Sequence, residues 1–111
     1  MIELILAAAL ATASKSDAQI EYEALLPIIL MKYETCLTLQ ASKYAKSSEP
    51  ASVVVDAAFG ACLSQRVELA ELPKKSGLKV SSGENERQLQ WIDERERKQL
   101  TSFVLDFRGN H

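Results

Sequence analysis

With 111 residues, 47% of them apolar and 25% charged, the chain has the make-up of one globular domain and not of a disordered segment. A formal net charge of −2 gives it no field strong enough to draw nucleic acid or an anionic membrane surface. Four glycines and three prolines are too few for a turn-rich sandwich or barrel, so the composition points to an all-α fold.

The chain opens on an uncharged apolar run, Leu4 to Ala11, followed by Thr12-Ala13-Ser14-Lys15. The run is too short to cross a bilayer, which takes about 20 residues. It has the length of a secretory signal core, and Ala11-Thr12-Ala13 has the small-x-small form of a cleavage site. Residues 1–13 are therefore expected to be a signal peptide and residues 14–111 the mature domain. One feature runs against this: no Lys or Arg precedes the run, and Glu3 stands there instead. The alternative is a leader that is kept as an anchor.

Three helices are expected after the leader, over about 18–45, 49–72 and 84–107. In the first, Tyr22, Leu26, Ile29, Tyr33, Leu37 and Tyr44 recur at spacings of three, four and seven, with Gln40 in the gap. Pro27 lies inside that pattern and should either kink the helix or mark its start. Ser48 is the expected N-cap of the second helix, with Pro50 in its first turn. The apolar face of that helix carries Val54, Ala58, Ala61, Cys62, Leu69 and Leu72, and Pro73 to Gly77 end it. Ser81 and Glu84 have capping-box spacing ahead of the third helix. Its stripe is Leu89, Ile92, Leu100, Phe103, Val104 and Phe107, interrupted by Glu96, and Gly109 to His111 form a tail.

The two cysteines fit one register. In an antiparallel hairpin turning at Glu49, facing residues have numbers that sum to about 98, and Cys36 with Cys62 do so. The same register sets Leu26 against Leu72, Ile29 against Leu69, Leu37 against Ala61 and Tyr44 against Val54. A disulfide needs Cα atoms within roughly 4.4–6.8 Å, which small residues such as Ala58 and Ala61 allow. Buried free thiols and metal ligands are the alternatives. Zinc takes four ligands, and the only histidine, His111, ends the chain. The expected fold is thus a disulfide-linked antiparallel helical hairpin with a third, C-terminal helix packed on it.

The inventory offers little catalysis. With His111 alone there is no Ser-His-Asp or Cys-His arrangement, and the glycines at 60, 77, 83 and 109 make no phosphate loop. No catalytic, cofactor-binding or metal residues are assigned. The run Asp93 to Lys98 contains Asp93–Arg97 and Glu94–Lys98 at i,i+4 and reads as a solvated helix face. Glu96, on the apolar stripe, either pairs with Arg66 or lies where the stripe meets solvent. Tyr22, Tyr33, Tyr44 and Trp91 could form a ligand cage, but core packing with hydroxyls at the rim explains their spacing.

The leader, Tyr33-Glu34-Thr35-Cys36 and Ala57-Ala58-Phe59-Gly60-Ala61-Cys62 together resemble a loose group of small periplasmic proteins of alphaproteobacteria. The resemblance covers about residues 1–72 and implies a compartment and a disulfide, not an activity. The expectation is a non-enzymatic binding or accessory module, periplasmic or secreted. A membrane-tethered interaction protein and a small carboxylate-dependent hydrolase are the alternatives. A protein partner is conceivable, nucleic acid is not, and a membrane enters only if the leader is kept. The third helix is the candidate partner surface, through Leu89, Trp91, Ile92, Glu96, Leu100, Phe103 and Phe107, with packing on its own hairpin as the competing role.

Overall fold

The computed structural model describes residues 15–109; the expected signal peptide lies outside the described residues. Helix α1 spans Asp17–Tyr44, α2 Ala51–Ala61, α3 Leu63–Lys75 and α4 Ser82–Gly109. The described residues contain no strand, and the fold is all-α, as expected.

Helix α1 begins on a side-chain cap, Ser16 Oγ accepting from the Gln19 amide at 3.1 Å, with Asp17 at the positive end of the helix dipole. It runs through Pro27 without interruption, so this residue neither starts nor ends the helix. Pro27 is exposed, and the Glu23 carbonyl that loses its intrahelical donor lies toward solvent. The buried face is Ile29, Tyr33, Leu37 and Ala41. Ala41, not Gln40, fills the gap before Tyr44.

The expected second helix is two. Ser48 does not cap it; Pro50 occupies that position without a side-chain bond, and its carbonyl accepts from Val53 and Val54. Helix α2 then gives way to α3 at Cys62, whose φ of −109° and ψ of 23° leave helical geometry for one residue. The Cys62 amide is shared between the Ala58 and Phe59 carbonyls, both at 3.2 Å. The break coincides with the cross-linked residue and follows Gly60, the weakest helix former of the segment, by two positions. Val55 joins Val54 in the core, whereas Ala61 is exposed.

Helix α3 continues past Leu72 and over Pro73 to Lys75. It stops where Gly77 adopts φ +80°. The Gly77 amide bonds the Lys74 carbonyl at 3.0 Å and the Leu78 amide the Pro73 carbonyl at 2.8 Å, a Schellman ending that needs a left-handed residue. Helix α4 starts as expected, Ser81 Oγ accepting from the Glu84 amide at 3.1 Å, and persists through Gly109.

Contacts fix the topology. Asn85 Nδ2 donates to the Ala70 carbonyl, Arg66 meets Asp93, and Arg97 meets Asp56, so α4 runs antiparallel to α2 and α3. Tyr33 meets Asp93 and Arg108 meets Ala45, so α4 runs parallel to α1. The bundle has three rods, the middle one broken in two. Its core joins Tyr33, Leu37, Val54, Val55, Ala58, Cys62, Leu69 and Leu72 with Leu89, Ile92, Leu100 and Val104 of α4. Burying four such aliphatic side chains is worth roughly 6–12 kcal/mol, as much as a small domain's entire stability. Docking of α4 therefore closes the core.

Arg108 locks that docking. Its Nε donates to the Ala45 carbonyl at 3.1 Å, and its Nη2 donates to the carbonyls of Ser47, at 3.0 Å, and Glu49. A cation thus serves carbonyls around the negative end of α1 from the far end of the chain. Arg108→Met is expected to lower stability by about 1–2 kcal/mol while leaving helical content unchanged, as read by urea unfolding followed by circular dichroism.

Candidate functional site

The centre of the molecule is the Cys36–Cys62 disulfide, with Cα atoms 6.0 Å apart. With helix axes 8–10 Å apart and Cα atoms about 2.3 Å from each axis, facing positions come within that distance where the helices have small neighbours. Ala58 supplies one, fully buried; the exposed Ala61 does not. Cys62 is sealed in the core, while Cys36 is half-buried at the edge of a shallow groove.

One turn from Cys36 lies a charged cluster joining three helices. Tyr33 of α1 is fully buried and donates its hydroxyl to Asp93 Oδ1 of α4 at 2.9 Å. Arg66 of α3 grips the other Asp93 oxygen through Nε and Nη2, both at 2.9 Å. Burial, then the bond to Asp93, pushes the Tyr33 phenol far above its ordinary range. Burial acts to lower the Arg66 guanidinium, but the hydrogen bond to Asp93 and the charge of Asp93 together outweigh it and raise the group. Phe59 packs edge-on against Tyr33 with ring centroids 6.3 Å apart. Arg97 lies over the Phe59 ring at 4.8 Å and pairs with Asp56 at 2.7 Å.

Glu96 sits one turn beyond Asp93 and is buried, only 3% exposed. Arg66 is not its partner; Arg95 approaches it at 3.5 Å, and Glu34 of α1 faces it. Burial, then the charge of Glu34, raises its carboxyl above the ordinary range, and Arg95 offsets this in part. The expected i,i+4 pairs Asp93–Arg97 and Glu94–Lys98 are not the ones formed. Asp93 and Arg97 both reach other helices, because a partly buried carboxylate gains more from a desolvated cross-helix cation than from an exposed neighbour.

On α4 the stripe takes the competing role and packs on the chain's own hairpin. Leu89, Ile92, Glu96 and Leu100 are buried in the chain's own core, and Phe103 and Phe107 are half-buried against it. Only Trp91 is open to solvent, 60% exposed, with the Arg95 guanidinium 5.0 Å above its ring. Nor do the aromatic residues form a cage. Tyr22 and Tyr44 flank the core, the Tyr33 hydroxyl is bonded inside rather than at the rim, and Trp91 points outward.

Chemically, the cluster binds helices together. Both Asp93 oxygens are engaged by other helices, and the larger surface grooves of the described residues are lined by other side chains. Among the described residues no group of three or more His, Cys, Asp or Glu is placed to hold a metal, and no helix is long and apolar enough to cross a membrane. Comparison with known proteins yields no match to a family model, a curated protein or a solved structure.

The sequence pattern missed one feature altogether. The face of α1 opposite the core carries Ile20, Ala24, Ile28, Met31, Thr35 and Leu39, all exposed. Their helical spacing could have disclosed it, but the core-facing stripe of the same helix masks the amphipathic signal.

Two outcomes are expected. Replacing both cysteines with alanine should lower stability by about 3–4 kcal/mol for the closed loop and retain most helical signal, measured by denaturant unfolding. For Glu96, a raised folded-state pKa means that its favourable contribution is full below the ordinary carboxyl value and is lost as pH rises through the folded value. Glu96→Gln should therefore stabilise the fold at neutral pH and flatten the decline in stability as pH rises above the ordinary carboxyl value, read from thermal melts across a pH series.

Proposed function

We propose that this chain is an exported, non-enzymatic helical module that works by protein contact in the periplasm or outside the cell. The observation that carries the reading is helix α1, cross-linked through Cys36 and packed on one face while a second apolar face stays exposed. Disulfides persist in oxidising compartments, and among the described residues no cysteine is free. The Leu4–Ala11 run and the Ala11-Thr12-Ala13 site supply the means of export. An exposed apolar face of this length is what a contact surface requires and what a solitary helix avoids.

The tethered form is the second reading, favoured by Glu3 and by the lack of Lys or Arg ahead of the apolar run. A hydrolase draws only on Glu34 and Glu96, and Glu96 is closed into the core.

Intact-mass analysis of protein recovered from outside the cytoplasm of its host separates these readings. Export with cleavage gives a chain beginning at Ser14 with both thiols oxidised. A mass that retains Met1 in the membrane fraction supports the tether, and two reduced thiols would remove the basis for an oxidising compartment.

A further inference from the structure

We infer that the Cys36–Cys62 disulfide is opened and closed through one sulfur only. Cys36 is the atom that exchanges with an external thiol, and Cys62 is the resolving partner held inside the bundle. The inference goes beyond the contact-module reading and does not depend on it. Thiol–disulfide exchange is a displacement in which a thiolate attacks one sulfur from the side opposite the other, so access decides which sulfur is attacked. Cys62 is 0% exposed and belongs to the core cluster. A nucleophile aimed at its Sγ has to come through that core. Cys36 is half-buried and lines the groove between α1 and α3, with Thr35 and Leu39 on the α1 side and Gln65 on the other. A nucleophile reaches its Sγ from this groove, on the side away from Cys62.

The rim of the groove suits a thiolate. Lys32, one turn before Cys36, and Glu68 of α3 both line it and pair at 3.4 Å, so an incoming anion meets one charge of each sign and no net repulsion.

In the opening direction the external thiolate bonds to Cys36 Sγ, the Cys36–Cys62 bond breaks, and Cys62 leaves as a thiolate that takes up a proton. A second external thiol then attacks the outer sulfur of the mixed disulfide and releases Cys36. The two external thiols depart as a disulfide, and the chain keeps two thiols. Closing runs in reverse: the Cys36 thiolate attacks an external disulfide, and Cys62 then displaces the remaining external thiolate from Cys36. Burial in apolar surroundings makes the Cys62 thiolate costly to form and hence a poor leaving group. Its Cα lies 6.0 Å from that of Cys36, on rods that also pack through their apolar faces. Opening is therefore slow, re-closure is fast, and the mixed disulfide at Cys36 is short-lived.

Single-cysteine variants, first checked by circular dichroism to be helical, make that intermediate stable. Cys62→Ala, given oxidised glutathione, should gain glutathione at Cys36 at a rate proportional to glutathione concentration and insensitive to low urea. Cys36→Ala should react about 100-fold more slowly, at a rate that climbs with urea as Cys62 becomes exposed. The unaltered chain gives a check that needs no variant. Treated with reduced glutathione, quenched in acid and capped with N-ethylmaleimide in denaturant, it should carry glutathione on the Cys36 peptide and maleimide on the Cys62 peptide. A thioredoxin lacking its resolving cysteine, used in place of glutathione, distinguishes a protein thiol from a small one: a link to Cys36 by either supports the inference. Equal rates in the two folded variants, glutathione on the Cys62 peptide, or exchange that only follows global unfolding overturns it.

Discussion

The bond between Cys36 and Cys62 sets the register on which every other contact depends. It holds α1 level with the junction of α2 and α3, and helical geometry then dictates which residues of each rod can face the third. Tyr33 is one turn from Cys36, and Arg66 one turn from Cys62. The cross-link therefore delivers a phenol and a guanidinium to one level of the hairpin, where Asp93 of α4 receives both. Without that level, Asp93 would be a half-buried charge lacking its cation, which is costly in a water-poor interior.

The polar cluster and the apolar core do different work. The aliphatic contacts of α4 provide the bulk of the docking energy, but they are non-directional and would tolerate a slide along the hairpin. Asp93 tolerates none, because its oxygens must meet a hydroxyl and a guanidinium at hydrogen-bond distance. Arg108 fixes the same alignment at the far end, against the carbonyls that follow α1. Glu96 is the exception in this scheme, a carboxylate buried beside Glu34 with a single distant arginine. The stripe on which it lies would be apolar throughout but for this residue.

What the sequence disclosed, and what it hid, follows from the range of each interaction. Periodicity located three rods, and the matched cysteine positions gave the hairpin register, because both signals are carried by spacing along the chain. Gly77 and Ser81 were legible as stop and start for the same reason, each acting within one turn of itself. The split at Cys62 was not, since alanine-rich sequence runs through it without a breaker other than Gly60. The partners of Asp93, Arg97 and Arg108 were hidden too. Those of Asp93 and Arg97 lie on other helices and those of Arg108 in the turn after α1, 27 to 63 residues away, and local charge spacing proposed nearer ones for the first two. Glu96 was correctly placed on the stripe, but its environment depends on Glu34, which no one-dimensional pattern connects to it.

The single cross-link also decides how the bundle can open. Cys36 and Cys62 tie α1 covalently to the junction of α2 and α3, whereas α4 is held to them by its apolar stripe and by the bonds of Asp93, Arg97 and Arg108. When α4 lifts away, the other two rods stay level with each other, and its return is a search by one helix over a surface already assembled.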